Sequence, residues 1–259
     1  LLLSLIPHAL AFALGGVGWA LIVKKIDASQ SIRGSFRIYF LSSIGRNLPG
    51  GFWHIAGRVH LHKRAGGSGT ATIVATGVEL VLAVLAGTAI YAIAVLTNSV
   101  NSLIPRGWLI ALLLVEAVLL WPPIFNRVVN WSIQHSTDED VSSITVGAGT
   151  ILQWIGLYLV ILFMGGVVLC VVGNAVYPLE WQRLPGLAGA WGISMAVSGL
   201  TFWLPVRLGI RDGILAMALS EQMPLSAAVV IAALWRVWIS VSEILWALLA
   251  ALTAWLRSE

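Results

Sequence analysis

Charge is what this 259-residue chain has least of: only 10% of its residues are Asp, Glu, Lys or Arg, against 59% apolar ones. A composition so poor in charge, with a mean hydropathy of +0.92, excludes an ordinary soluble domain. Cysteine is almost missing too. Cys170 is the sole thiol and sits in an apolar run, which excludes an intrachain disulfide and gives no support to thiolate metal chemistry. No Gly-x-x-x-x-Gly-Lys loop is present, so the chain by itself has no recognisable way to use ATP, and no cofactor is expected. His54, His60 and His62 have no acidic ligand at a standard spacing, so interfacial histidines are expected rather than a metal site.

What is there is hydrophobic length. Runs of about 20 apolar residues recur, each long enough to cross a hydrocarbon core of roughly 30 Å as a helix. They do not alternate as barrel strands would, and a helix satisfies its backbone internally in lipid. The fold class is therefore all-α: one polytopic membrane domain over residues 1–259, with about seven spans and two re-entrant or broken segments. Expected spans cover residues 1–23, 32–48, 70–96, 108–129, 144–172, 187–204 and 226–255, with Pro7 able to kink the first and Pro122-Pro123 the fourth. The first run has no charged leader or small-residue cleavage site and reads as a span rather than a signal peptide. The acidic loop Ser136 to Asp140 reads as a solvated connection, and the thirteen tryptophans as interface anchors.

Two breaks interrupt this pattern. Residues 49–66 follow Arg46 and contain Pro49-Gly50-Gly51, Gly57 and Arg58; Leu204 to Gly213 contains Pro205, Arg207, Gly209, Arg211 and Asp212. Pro49 and Gly57 keep the separation of Pro205 and Gly213, and Pro49 and Ala71 that of Pro205 and Ala227. An internal, parallel repeat is therefore expected, with halves at about 32–129 and 144–256 and a site where they meet.

Ionisable groups at membrane depth normally face a protein or water-filled interior and have partners. The candidates for binding are Arg46, Arg58, Arg207, Arg211 and Arg236, with Glu79 and Asp212 to balance them; Glu243 shares a helix face with Arg236 and Ser240. Guanidinium forks match phosphate bidentately, so the set points to a phospholipid or lipid-phosphate head group. No nucleophile–base pair is recognisable, and an enzyme is not expected. The net charge of +4 fits anionic head groups better than nucleic acid. If both breaks are embedded, the remaining basic residues put the Lys24-Lys25 side in the cytoplasm of a multi-pass cell-membrane protein.

Two stretches, Tyr39 to Gly87 and Leu204 to Leu249, carry a family resemblance. With Asn47-Leu-Pro-Gly-Gly51, Gly57-Arg58, Glu79, Leu204-Pro205, Gly209, Arg211-Asp212-Gly213 and Arg236, the chain resembles a stand-alone flippase-like membrane domain of the lysylphosphatidylglycerol synthases. It departs at Glu79-Leu80, where the family commonly has Glu-Arg, and at Asp212, where it often has Glu. The resemblance implies translocation of a phospholipid or lipid-linked head group, and an extra helix before residue 1. Its alternative is a non-transporting partner that docks lipid to a lipid-modifying enzyme or glycosyltransferase. The aminoacyl-transferase domain of the fused relatives is absent from these residues, so synthesis of the lysyl-lipid is not expected.

Overall fold

The computed structural model describes residues 4–48, 52–100, 104–135, 141–202, 204 and 207–255. Pro49 to Gly51, Pro205 and the acidic loop 136–140 lie outside the described residues, as does the side chain of Arg207. Within them helices are the regular elements: α1 (Leu5–Ile26), α2 (Ile32–Ser43) with a 3-10 turn Ile44–Asn47, α3 (Trp53–Arg64), α4 (Gly69–Leu96), α5 (Arg106–Leu119), α6 (Pro122–Gln134), α7 (Ala148–Gly173), α8 (Leu184–Leu200), α9 (Arg207–Ser220) and α10 (Leu225–Trp255), with no strand among the described residues.

Four of these helices, α1, α4, α7 and α10, are long and apolar enough to cross a membrane. The pair α5 and α6 makes a fifth if a bent span is counted, with 69° between its halves. The bend falls at Pro122, which opens α6 where its missing N–H costs nothing. Helix α1 runs unbroken past Pro7, which lies in its first turn, among the donors that have no intrahelical partner anyway. The expected spans at 32–48 and 187–204 are shorter helices, 12 residues for α2 and 17 for α8. Residues 141–147 approach α7 without helix. Asn126 and Asn130, one turn apart on α6, serve that extended backbone: their amides donate to the carbonyls of Val146 and Ile144 at 3.0 and 2.9 Å and accept from the same residues' N–H groups at 2.8 Å. Outside a helix or sheet these backbone groups need other partners, and the two side-chain amides supply them.

The two breaks fold alike. Each holds a short helix, α3 or α9, followed by a tight turn and a long helix, α4 or α10. The short helices end at Arg64 and Ser220 and the long ones begin at Gly69 and Leu225, and both pairs keep the separation of Pro49 from Pro205. Ser68 caps α4 by accepting the Ala71 N–H at 3.2 Å.

Helix α8 lies at the centre, packed against α4, α7 and α9. Its face is built of small residues, which lets backbones touch where lipid gives helices no hydrophobic reason to associate. A methyl group on Gly192 would lie 2.6 Å from the Gly87 carbonyl oxygen of α4, and one on Gly166 of α7 would lie 2.6 Å from Ala188 Cα. Trp19 and Trp235 are fully buried, at 0% and 1% exposure, so these two tryptophans are core rather than interface anchors.

Asp27 ties the end of α1 to the start of α4 by accepting from the Ser68 N–H at 3.1 Å. Partial burial pushes its carboxyl up, but hydrogen bonds from the Ser29 hydroxyl and the Ser68 and Ser29 N–H groups outweigh that and hold it below the ordinary carboxylate range.

Two outcomes follow from this packing. Gly192→Ala lowers stability by about 1–3 kcal/mol through overpacking, whereas Gly156→Ala, whose methyl meets nothing within 4 Å, is neutral or stabilising by up to about 1 kcal/mol; thermal unfolding in detergent separates them. A group whose folded-state titration is depressed stabilises above its unfolded pKa of about 3.9 and loses that contribution as pH falls through the folded value. Asp27→Asn therefore melts below wild type at pH 7, and the gap closes as the pH is taken below the ordinary carboxylate range.

Candidate functional site

The site begins with a polar stripe on α4. Thr72, Thr76 and Glu79 stand at i, i+4 and i+7 and so share one face, turned toward α3. From α3, Arg58 reaches across to bond Glu79 Oε2 and donates to Thr76 Oγ1 at 3.4 Å. Thr76 also accepts from Trp19 Nε1 at 3.2 Å and donates to the Thr72 carbonyl at 2.8 Å. His62, one turn beyond Arg58, is buried with Nδ1 2.5 Å from Thr72 Oγ1, so it belongs to the α3–α4 contact and not to an interface.

Arg58 is entirely buried, and its Nε and Nη2 have no hydrogen-bond partner among the described residues. Aromatic faces compensate: its guanidinium lies 4.8 Å from the ring centre of Trp19 and 4.5 Å from that of Tyr39, within range of cation–π attraction. Arg46, on the 3-10 turn after α2, meets the other side of Glu79, with Nη2 3.6 Å from Oε1. It donates to the Tyr39 hydroxyl at 2.9 Å and reaches Glu243 of α10 at 3.5 Å. Gly45 makes this turn possible, because a methyl there would lie 2.6 Å from the His54 backbone nitrogen.

A second cluster comes from the other break. Asp212 of α9 accepts from Arg211 Nε at 3.2 Å through one oxygen and from Arg236 Nη1 of α10 at 2.8 Å through the other. Among the described residues, Arg46 and Arg58 pair with two carboxylates, Glu79 and Glu243, whereas Arg211 and Arg236 share the single carboxylate of Asp212.

Both clusters border one cavity of about 720 Å³. Arg46, Glu79, Arg211, Arg236 and Glu243 line it, together with Ser240 and a largely apolar wall that includes Phe12, Tyr158, Leu162, Trp191 and Trp235. Arg236, Ser240 and Glu243 thus present one face of α10 to the cavity. Of the residues singled out by sequence, Arg46, Glu79, Arg211 and Arg236 reach it directly. Arg58 does not: it lies behind Glu79 and acts through that carboxylate. Asp212 is not among the lining residues and holds the two that are. Arg207 opens α9, and its side chain is outside the described residues.

Tyr39, Trp19 and Thr76 were not anticipated. Thr76 left a legible signal in the Thr72, Thr76, Glu79 spacing; Trp19 left none, since a tryptophan within an apolar run looks the same buried or at an interface. Chemically, the cavity offers fixed cationic donors beside a large apolar surface, a combination that suits an amphiphile with an anionic head.

The two clusters differ in how much stability they carry. Glu79→Ala leaves Arg58 buried and uncompensated, and should cost about 3–5 kcal/mol, with strong coupling in a double-mutant cycle against Arg58→Met. The Arg236–Asp212 pair, with Arg236 40% exposed, should couple by about 1 kcal/mol or less in the same measurement. No family model, curated protein or solved structure matches this chain.

Proposed function

We propose that this protein is a lipid translocase that moves a phospholipid or lipid-linked head group between the leaflets of the cell membrane. One observation carries the reading: the two breaks in the apolar chain each deliver an ionic cluster to a single cavity whose other walls are apolar. In this reading the phosphate sits between Arg211 and Arg236. Asp212 uses one N–H of each guanidinium in its hydrogen bonds, which leaves further donors to point at the head group. The acyl chains stay against the apolar wall or in the bilayer. A volume of about 720 Å³ is within the roughly 300–1,000 Å³ of small-molecule sites, enough for a head group and not for a whole lipid.

The matched boundaries of α3–α4 and α9–α10 support reading the halves as a parallel repeat, and α2 with its 3-10 turn and α8 would then complete seven crossings. Resemblance to the flippase-like domains of lysylphosphatidylglycerol synthases supports the same function, with an aminoacylated phosphatidylglycerol or a polyprenyl-phosphate glycan as substrates in keeping with it.

Proteoliposomes carrying a fluorescent phospholipid test the reading by the rate at which label in the inner leaflet becomes accessible outside. Wild type should exceed empty liposomes, and Arg211→Ala and Arg236→Ala should each lower the exchange about tenfold, the factor that corresponds to about 1.4 kcal/mol. Exchange equal to empty liposomes for wild type across phosphatidylglycerol, phosphatidylethanolamine and phosphatidylcholine would sink it and favour a lipid-docking partner.

A further inference from the structure

A carboxyl group away from the cavity is unaccounted for. Glu116 lies on α5, whose outer face is bare and apolar: Trp108 is 71% exposed and Leu114 64%. The opposite face, Leu109, Leu113 and Glu116 at i, i+4 and i+7, turns toward α4. Glu116 is buried there, and its oxygen bonds the hydroxyl of Thr88. Among the described residues it has no ion pair.

The charged and titratable groups on the elements packed against it do not offer one. On α4, Tyr91 is buried one turn from Thr88, and Glu79, itself a carboxylate, is about 13 Å back along the helix. On α6, Arg127 is exposed; on α5 itself, Arg106 stands at the far end and donates to Asn98. An isolated carboxylate in such surroundings is costly, a cost that a protonated carboxyl avoids.

The hydrogen-bond chain agrees with the protonated form. A Thr hydroxyl has one hydrogen. Thr88 Oγ1 also lies 3.0 Å from the carbonyls of Val84 and Leu85, so when it donates to one of these it remains an acceptor for Glu116 O–H. Every hydrogen in the chain is then used. Deprotonation reverses it: the Thr88 hydrogen must leave the main-chain carbonyls to serve the carboxylate, whose other oxygen has no hydrogen-bond donor among the described residues.

Position gives this site a consequence. Glu116 precedes by one turn the 69° break between α5 and α6, and its partner Thr88 follows Gly87, where α4 touches α8. A change of charge on Glu116 therefore acts where a bent span meets the central packing. We propose that Glu116 is a proton-binding site, taking a proton from water and returning it to water as the α5–α6 bend moves, and that it couples a proton gradient to the protein's transport. The site stands on its own geometry; the coupling rests on the translocase reading.

Infrared difference spectra between pH 5 and pH 9 on the full chain in liposomes test the site without any lipid assay. Wild type should show a carboxylic C=O band that titrates in this range, missing from Glu116→Gln and moved to another frequency, not lost, in Glu116→Asp. Thr88→Val, which keeps the carboxyl and removes its partner, should shift the band to higher frequency. No band attributable to Glu116, or one that stays constant from pH 5 to pH 9, overturns the site whatever the lipid assay gives. In proteoliposomes that exchange lipid, an imposed pH gradient should change the rate several-fold in wild type and leave Glu116→Gln unaffected. Equal gradient dependence in both overturns the coupling, while a titrating band with no lipid exchange at all overturns the translocase reading and with it the coupling, leaving the proton site in place.

Discussion

The carboxylate of Glu79 is the constraint on which the rest depends. Arg58 is wholly buried, and leaving its guanidinium unpaired there would cost about 3–5 kcal/mol. Glu79 matches it, and by doing so fixes α3 against α4. The other oxygen of Glu79 faces Arg46, which continues to Glu243, so that four charges bind the turn after α2, the short α3 and the long α4 and α10 into one unit. Tyr39 and Trp19 complete it by offering π faces where further carbonyls are not to be had.

This network needs a bundle that leaves space beside it, and the small residues of α8 create that arrangement. Contact at Gly87 and Gly192 draws α4 and α8 together on one side, and contact at Gly166 and Ala188 draws α7 in on the other. Trp191, Met195 and Gly199 then face inward from α8 and form part of the cavity wall. Tight packing and open volume are two sides of the same helix. The cavity is polar where the breaks enter it and apolar elsewhere, which is the condition an amphiphilic substrate sets.

The two ionic clusters differ in make-up. Among the described residues, Arg46, Arg58, Glu79 and Glu243 form one network that ties helices together, while Arg211 and Arg236 share Asp212, and Arg236 is the most exposed of these side chains. Glu116 is set apart from both, in the first helix of the bent α5–α6 pair, with a hydroxyl rather than a cation as its partner.

The sequence by itself determined the membrane character and the helical class, because hydrophobic length and the need for internal backbone bonding leave little choice. It also located the two breaks and the candidates for their charges, since an arginine in an apolar chain is conspicuous whatever surrounds it. Helix lengths were less legible. Asn126 and Asn130 hold residues 141–147 extended, and α8 stops at 17 residues, for reasons that lie in contacts between segments. Only the tertiary structure decided which charges pair. That Arg58 goes behind Glu79 while Arg46 faces the cavity depends on the depth at which α3 packs on α4. Trp19 as core rather than anchor is the same kind of fact: its partners Thr76 and Arg58 are remote in the chain and become neighbours only through packing.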